Sequence, residues 1–118
     1  MIVVAFAKGD RETLKPLLSQ DVFDGFSAEI ARREQQGETM ETAVVAIDSA
    51  TVDAARAIAG RNEVTVRFVA RLMSVRRDRA GETIDGGQTR KVVERWTFAR
   101  DPKANDPNWK LVATQAED

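Results

Sequence analysis

Between Gly37 and Thr42 the apolar periodicity of this chain changes, and that change bounds its fold class. Before it, Val22, Phe26 and Ile30 recur at i, i+4 and i+8 with Phe23 beside them, the spacing of one buried helix face. Ser19 is placed to cap that helix, Asp21 and Asp24 suit the positive end of its dipole, and Arg32 and Arg33 approach the end that Gly37 closes. After the change the period is two. A first strand is expected over about 42–58, weakly marked because alanine is frequent and Asp48, Ser49 and Asp53 interrupt the alternation. A second, over about 63–77, sends Val64, Val66, Phe68, Ala70 and Leu72 one way. Glu63, Thr65, Arg67 and Arg71 go the other, joined by Val69, Met73 and Val75.

Gly60-Arg61-Asn62 reads as the turn between these strands, and DRAGETIDGG as the next loop, with Asp85-Gly86-Gly87 its turn signal. A third strand over about 88–100 points Val92, Trp96 and Phe98 inward. A fourth over about 109–116 places Trp109, Leu111 and Ala113 on one face. Helices followed by a run of antiparallel strands give an α+β fold, with the N-terminal helices packed on one face of a curved four-stranded antiparallel sheet.

The ends of the pattern are equally specific. Ile2, Val3, Val4 and Phe6 look like the last turns of a helix that starts earlier, so the chain reads as a single domain, 1–118, cut from a longer protein. Asp10 is a plausible cap for a short helix through Leu18, which Pro16 should distort by removing a backbone donor. Between the third and fourth strands stand two Asp-Pro steps, Asp101-Pro102 and Asp106-Pro107. Neither proline can donate to a sheet ladder, and both aspartates can cap turns, so this segment reverses the chain and delivers Trp109 into the core.

Several chemistries are removed by absence. The chain has no Cys, no His and no Tyr, hence no thiol nucleophile, no disulfide and no imidazole base or metal ligand. No cofactor or metal site is expected. An enzyme built here would depend on a pocket carboxylate, Glu94 or Asp48, without a His or Tyr to complete a proton relay. No run approaches the roughly 20 apolar residues of a membrane span.

Two surfaces remain as candidates. Phe26, Ile30, Phe68, Leu72, Trp96, Phe98, Trp109 and Leu111 should meet between helix and sheet, either as a closed core or around a cavity for an acyl chain or apolar peptide. Strict alternation turns Glu94 inward with Val92 and Trp96, where it needs a partner unless it reaches solvent at the strand end. On the opposite face Arg67, Arg71, Lys91, Arg95 and Lys110 lie among Val69, Met73, Val75, Val93 and Val112. Residues 67–100 carry nine basic and four acidic side chains. Such a face suits anionic lipid headgroups, a homodimer contact or a partner protein. With both tryptophans expected inward, it lacks the aromatic rings that stack nucleic-acid bases.

WTFARDP (96–102) and DPNWKLVATQ (106–115) resemble the closing hairpin of the Tim44-like domain, a mitochondrial inner-membrane import family with alphaproteobacterial relatives. AKGDRETLKPLLS (7–19), VFDGFSAEIARRE (22–34) and VTVRFVA (64–70) are similar too, so the resemblance covers nearly the whole chain. It implies the cystatin-like, nuclear-transport-factor-two-like cone, with an apolar cavity between the long helix and the concave sheet. It also implies a non-catalytic scaffold in protein translocation or membrane-protein biogenesis, at the cytoplasmic face of a bacterial inner membrane. Its partners would be anionic, cardiolipin-like lipid and translocation or chaperone proteins. A ribosome- or RNA-associated role, known for another relative, is the alternative.

Overall fold

A computed structural model describes residues 2–103 and 108–117. Helix α1 (Ile2–Lys8) leads into α2 (Arg11–Leu14), a 3₁₀ turn (Lys15–Leu17) and the long helix α3 (Gln20–Gln36). Four strands follow: β1 (Thr39–Ile58), β2 (Arg61–Arg77), β3 (Thr83–Arg100) and β4 (Lys110–Ala116). They form one antiparallel meander in the order β1-β2-β3-β4.

Local chemistry sets the helix boundaries. The Thr13 amide donates to Asp10 Oδ1 at 3.1 Å, capping α2, and Pro16 stands where α2 tightens into the 3₁₀ turn. Ser19 Oγ accepts from the Val22 amide, and Gly37, at φ +71°, closes α3 in the left-handed conformation. Helix α1, of only seven residues, could not persist alone. Its C-terminal carbonyls are claimed twice over. Gly9, at φ +72°, and Asp10 donate to Phe6 and Ala5, while the Arg33 guanidinium reaches from α3 to the oxygens of Phe6 (2.6 Å) and Ala7 (3.1 Å). Arg33 is only 5% exposed and lies 4.8 Å over the Phe6 ring, so one cation fastens α1 to α3. Burial lowers its pKa, and arginine remains charged nonetheless.

The closed core is compact and sits at one end of the sheet. Ala5, Leu14, Leu18, Ile30 and Leu111 are its buried members, with Phe6, Phe23 and Phe26 packed against them. Leu18 bridges Leu111 in parallel, and the Ser19 amide donates to the Leu111 carbonyl, so the chain entering α3 covers part of the β4 edge.

Strand β1 explains why its alternation looks broken. Its pairing to β2 slips between Val44/Ala46, Ile47/Ser49 and Val52/Ala54. Each bulge absorbs one residue: Val45, Asp48 and Asp53. After each slip the apolar residues return to the concave face, with Val44, Ile47, Ala50 and Val52 opposite Leu72, Ala70, Phe68 and Val66. The irregular aspartates are the bulge residues themselves.

Three expectations are corrected. The reversal between β2 and β3 lies at Asp78–Glu82, where Asp78 accepts from the amides of Ala80 and Glu82. Asp85-Gly86-Gly87 is instead a bulge within β3, Gly86 opposing Val75 at φ +91°, where a Cβ would overlap the Ser74 carbonyl. Trp109 is 39% exposed rather than buried, because β4 begins at Lys110 and Leu111 takes the core position at 0% exposure. Ala113 pairs with Thr97 and leaves the face of Leu111, since a slip between Thr97 and Phe98 makes Val112 the extra residue. Of the two Asp-Pro steps, Asp101 accepts from the Lys103 amide as a turn cap, and Asp106-Pro107 lies outside the described residues.

Leu111→Ala should therefore cost about 3–4 kcal/mol of stability in urea unfolding, and Trp109→Ala less than about 1 kcal/mol. The reverse order would overturn the placement of β4.

Candidate functional site

The concave face of the sheet is covered unevenly. Helix α3 and the 3₁₀ turn close it against β4, with Trp96 and Phe98 of β3 packed on the core they share, whereas α1 makes the main helical contact with β1. Beneath the first turn of α1 this leaves an open cavity of about 340 Å³. Ile2, Val3 and Leu17 form its helical wall, Phe68, Ala70, Leu72, Val92, Trp96 and Phe98 its floor, and Val44 and Ile47 its outer edge. One lining side chain is charged, Glu94.

The aromatic floor is internally braced. Phe68 meets Trp96 edge-on at 5.8 Å between centroids, and Trp96 lies 6.4 Å from Phe98. Glu94 pairs across the sheet with Phe68, and its Oε1 accepts from Trp96 Nε1 at 3.4 Å, a long contact. Glu94 is half-buried. Beyond Leu72 and Val92, which line both spaces, lies a polar recess of about 630 Å³ holding Arg33, Arg76 and Arg90 with Glu29 and Asp85.

The residues expected around one apolar pocket divide into three groups. Phe68, Leu72, Trp96 and Phe98 line the cavity. Phe26, Ile30 and Leu111 belong to the closed core beside it, with Phe26 4.7 Å from Phe6. Trp109 takes no part in either. The cavity thus lies under α1, not under the long helix as the resemblance implies. Val44, Ile47 and Ala70 were missed as lining residues. Ala70 stood in the inward alternation of β2, but the β1 pair was hidden by bulges, of which Asp48 and Asp53 marked the break in alternation without giving the register beyond it.

Arg67, Arg71, Lys91 and Arg95 do share the outer face, Arg67 opposite Arg95 and Arg71 opposite Lys91. Lys110, opposite Ala99 at the start of β4, stands apart from them, lining a recess with Glu12, Lys15 and Gln20 of the helical elements. The charges of the outer face are less available than the sequence suggests. Arg71 holds the bulge residue Asp48 at 2.9 Å, Arg95 holds Asp53 at 2.8 Å, and Glu117 bridges Arg67 (3.0 Å) and Arg95 (3.1 Å). The Arg67 hydrogen bond, aided by the Arg95 charge, pulls the Glu117 carboxyl below its ordinary value near 4.5. A carboxyl lowered by folding stabilises the native state above its unfolded pKa and loses that contribution as pH falls through the folded one. Glu117→Gln should flatten the acid limb of a stability–pH profile below about pH 4.5 and leave the neutral region little changed. An unchanged acid limb would show the bridge to be energetically silent.

Among the described residues there is no group of acidic side chains that could hold a metal, and no helix is long and apolar enough to cross a membrane. The carboxylate lining the cavity, Glu94, has Trp96 Nε1 as its polar neighbour there.

No curated protein matches the sequence. Among solved structures, the intermembrane space region of the chloroplast protein ARC6 aligns with a TM-score of 0.66 at 17% identity, over 95% of this chain and 82% of that one. A conserved protein from Planctomyces limnophilus aligns at 0.46 and 18%, over 96% and 87%. The first likeness establishes a shared fold, an α+β arrangement with helices ahead of a curved antiparallel sheet. The model of the Tim44-like domain matches residues 1–116, and this chain belongs to the Tim44-like domain family.

Proposed function

We propose that the domain is a non-catalytic adaptor at a membrane surface, whose concave cavity receives an apolar segment of a partner or an acyl chain. The family is associated with membrane protein translocation. The observation that carries the reading is the cavity itself: an open apolar space roofed by a short helix. The exposed apolar wall of β1 extends it, with Ile47 54% and Val52 63% exposed on the concave side. Contiguous exposed apolar surface of this kind marks a contact site.

Anionic, cardiolipin-like lipid is the ligand the outer face would take, and a bacterial inner membrane the place. The ion pairs of Arg67, Arg71 and Arg95 leave that face a modest attraction, so lipid binding there would be weak and salt-sensitive. A homodimer through the same face would have to accommodate those pairs. The RNA reading gains an exposed ring in Trp109, but one ring offers no platform for successive bases.

Two measurements test the proposal. Nile red, a neutral apolar dye, should bind the wild-type chain, and Ala70→Phe or Val44→Trp should weaken it at least about tenfold with an unchanged melting temperature. Dye binding insensitive to both variants would refute the cavity as the site. In flotation with vesicles, cardiolipin should outperform a zwitterionic lipid at low salt only, and an Arg67/Arg71/Arg95 triple substitution should remove the difference. Cardiolipin preference that survives the triple variant would move the lipid contact off this face.

A further inference from the structure

The second space on the concave side is polar, and its charges do not balance. At this end of the sheet the inward alternation of β2 continues from Leu72 through Ser74 to Arg76, and that of β3 runs back from Val92 to Arg90 and Gln88. The bulge at Gly86 then brings Asp85 opposite Arg76. Helix α3 adds Glu29 and Arg33, so guanidinium groups from three elements converge on one recess of about 630 Å³.

Like charges gathered in this way repel one another, and each needs an anion or an acceptor nearby. The carboxylates present meet only part of that demand. Glu29 is held at 2.7 Å by Arg32, which does not line the recess. Glu38 lies 3.5 Å from Arg76 and 3.8 Å from Arg32, so one carboxylate serves two guanidinium groups. Arg76 Nε and Glu38 Oε1 are both buried without a hydrogen-bond partner. Arg33 gives two donors to the Phe6 and Ala7 carbonyls, and its Nε is buried without an acceptor. Arg90 is exposed and, among the described residues, has neither an ion pair nor a side-chain hydrogen bond; the same holds for Asp85. Four arginines thus meet three carboxylates, which leaves one positive charge in excess. Unused guanidinium donors beside an excess of positive charge suit an oxyanion, whose acceptors match the guanidinium fork.

The rim indicates the kind of molecule. Asp85, Gln88 and Arg90 are exposed there, so the way in from water runs over polar groups and not over the apolar cavity. Arg90 stands opposite Leu72, and Arg76 is four residues further along β2, roughly 13 Å away along the strand. Two arginine side chains extended toward each other across that distance reach a single group between them.

We propose that this recess is a binding site for a small water-soluble oxyanion, whose phosphate or carboxylate group is taken between Arg76 and Arg90. The inference goes beyond the adaptor reading and does not require the apolar cavity to hold anything. It assigns opposite effects to two neighbours: Arg90 attracts the ligand and Asp85 repels it.

Calorimetric titration of the full chain with inorganic phosphate and with malonate, at low ionic strength, tests the site. At least one of them should bind with a Kd at or below about 1 mM. Arg90→Gln should weaken that binding at least about fivefold, and Asp85→Asn should tighten it about two- to threefold. Both positions are exposed, so both variants should keep the wild-type melting temperature. Arg33 is left in place because it holds α1. Glycerol 3-phosphate is then compared with dihexanoyl phosphatidic acid, which carries the same phosphate on an acylated glycerol. Similar affinities, both lowered by Arg90→Gln, would support a water-soluble ligand. A preference of about tenfold or more for the acylated form would make acyl chains part of the ligand and overturn the water-soluble assignment. Failure of phosphate and malonate to bind, or binding unchanged by Arg90→Gln, would overturn the site itself and leave the cavity reading intact.

Discussion

The Arg33 guanidinium, together with the packing of Ala5 and Phe6 in the core, holds in place the helix that walls the cavity. Helix α1 is too short to hold its own hydrogen bonds, yet it supplies Ile2 and Val3 to the cavity wall. Arg33 couples it to α3, because two of its donors meet carbonyls at the end of α1, that of Phe6, which it shares with the Gly9 amide, and that of Ala7. Hydrogen bonds to charged groups contribute about 1.5–3 kcal/mol each, and their loss here would also leave a buried cation unpaired. The wall is thus held from the side, by an arginine on the neighbouring helix, and not from above by a further packed layer.

The sheet solves a second problem, how to keep a long edge strand apolar on one side while carrying aspartates. The three bulges in β1 let Asp48 and Asp53 fall between paired positions and reach Arg71 and Arg95 on the convex side. The same slips keep Val44, Ile47 and Val52 concave. Bulges also increase the local twist and make an edge a poor template for another strand. The apolar lining and the Asp48–Arg71 and Asp53–Arg95 ion pairs of the outer face are therefore consequences of one pairing register.

Much of the architecture was legible because it rests on short-range rules. Asp10, Ser19 and Gly37 cap where their side chains or backbone freedom allow, and Pro16 stands where a helix tightens. Val64 to Leu72 alternate cleanly because β2 is paired on both sides through that stretch. The inward position of Glu94 followed from the same alternation. The failures have a common cause. Trp109, Ala113 and Asp85-Gly86-Gly87 were misplaced, and the β1 half of the cavity missed, wherever a bulge or strand start shifted the phase by one residue. Such a shift exchanges the two faces, and its energy lies in the partner strand.

By itself, then, the sequence determined the order of elements, the fold class, the family resemblance and the absence of thiol and imidazole chemistry. These follow from residue type and from spacing within one segment. Tertiary structure alone decided that Phe26, Ile30 and Leu111 close a core while Phe68, Leu72, Trp96 and Phe98 border a space. It also decided that the outer arginines are paired, and that Glu94 faces the cavity with no ion pair among the described residues. Each of those outcomes depends on which residues from distant segments come to face one another, and strand register and helix docking set that beyond the reach of any local pattern.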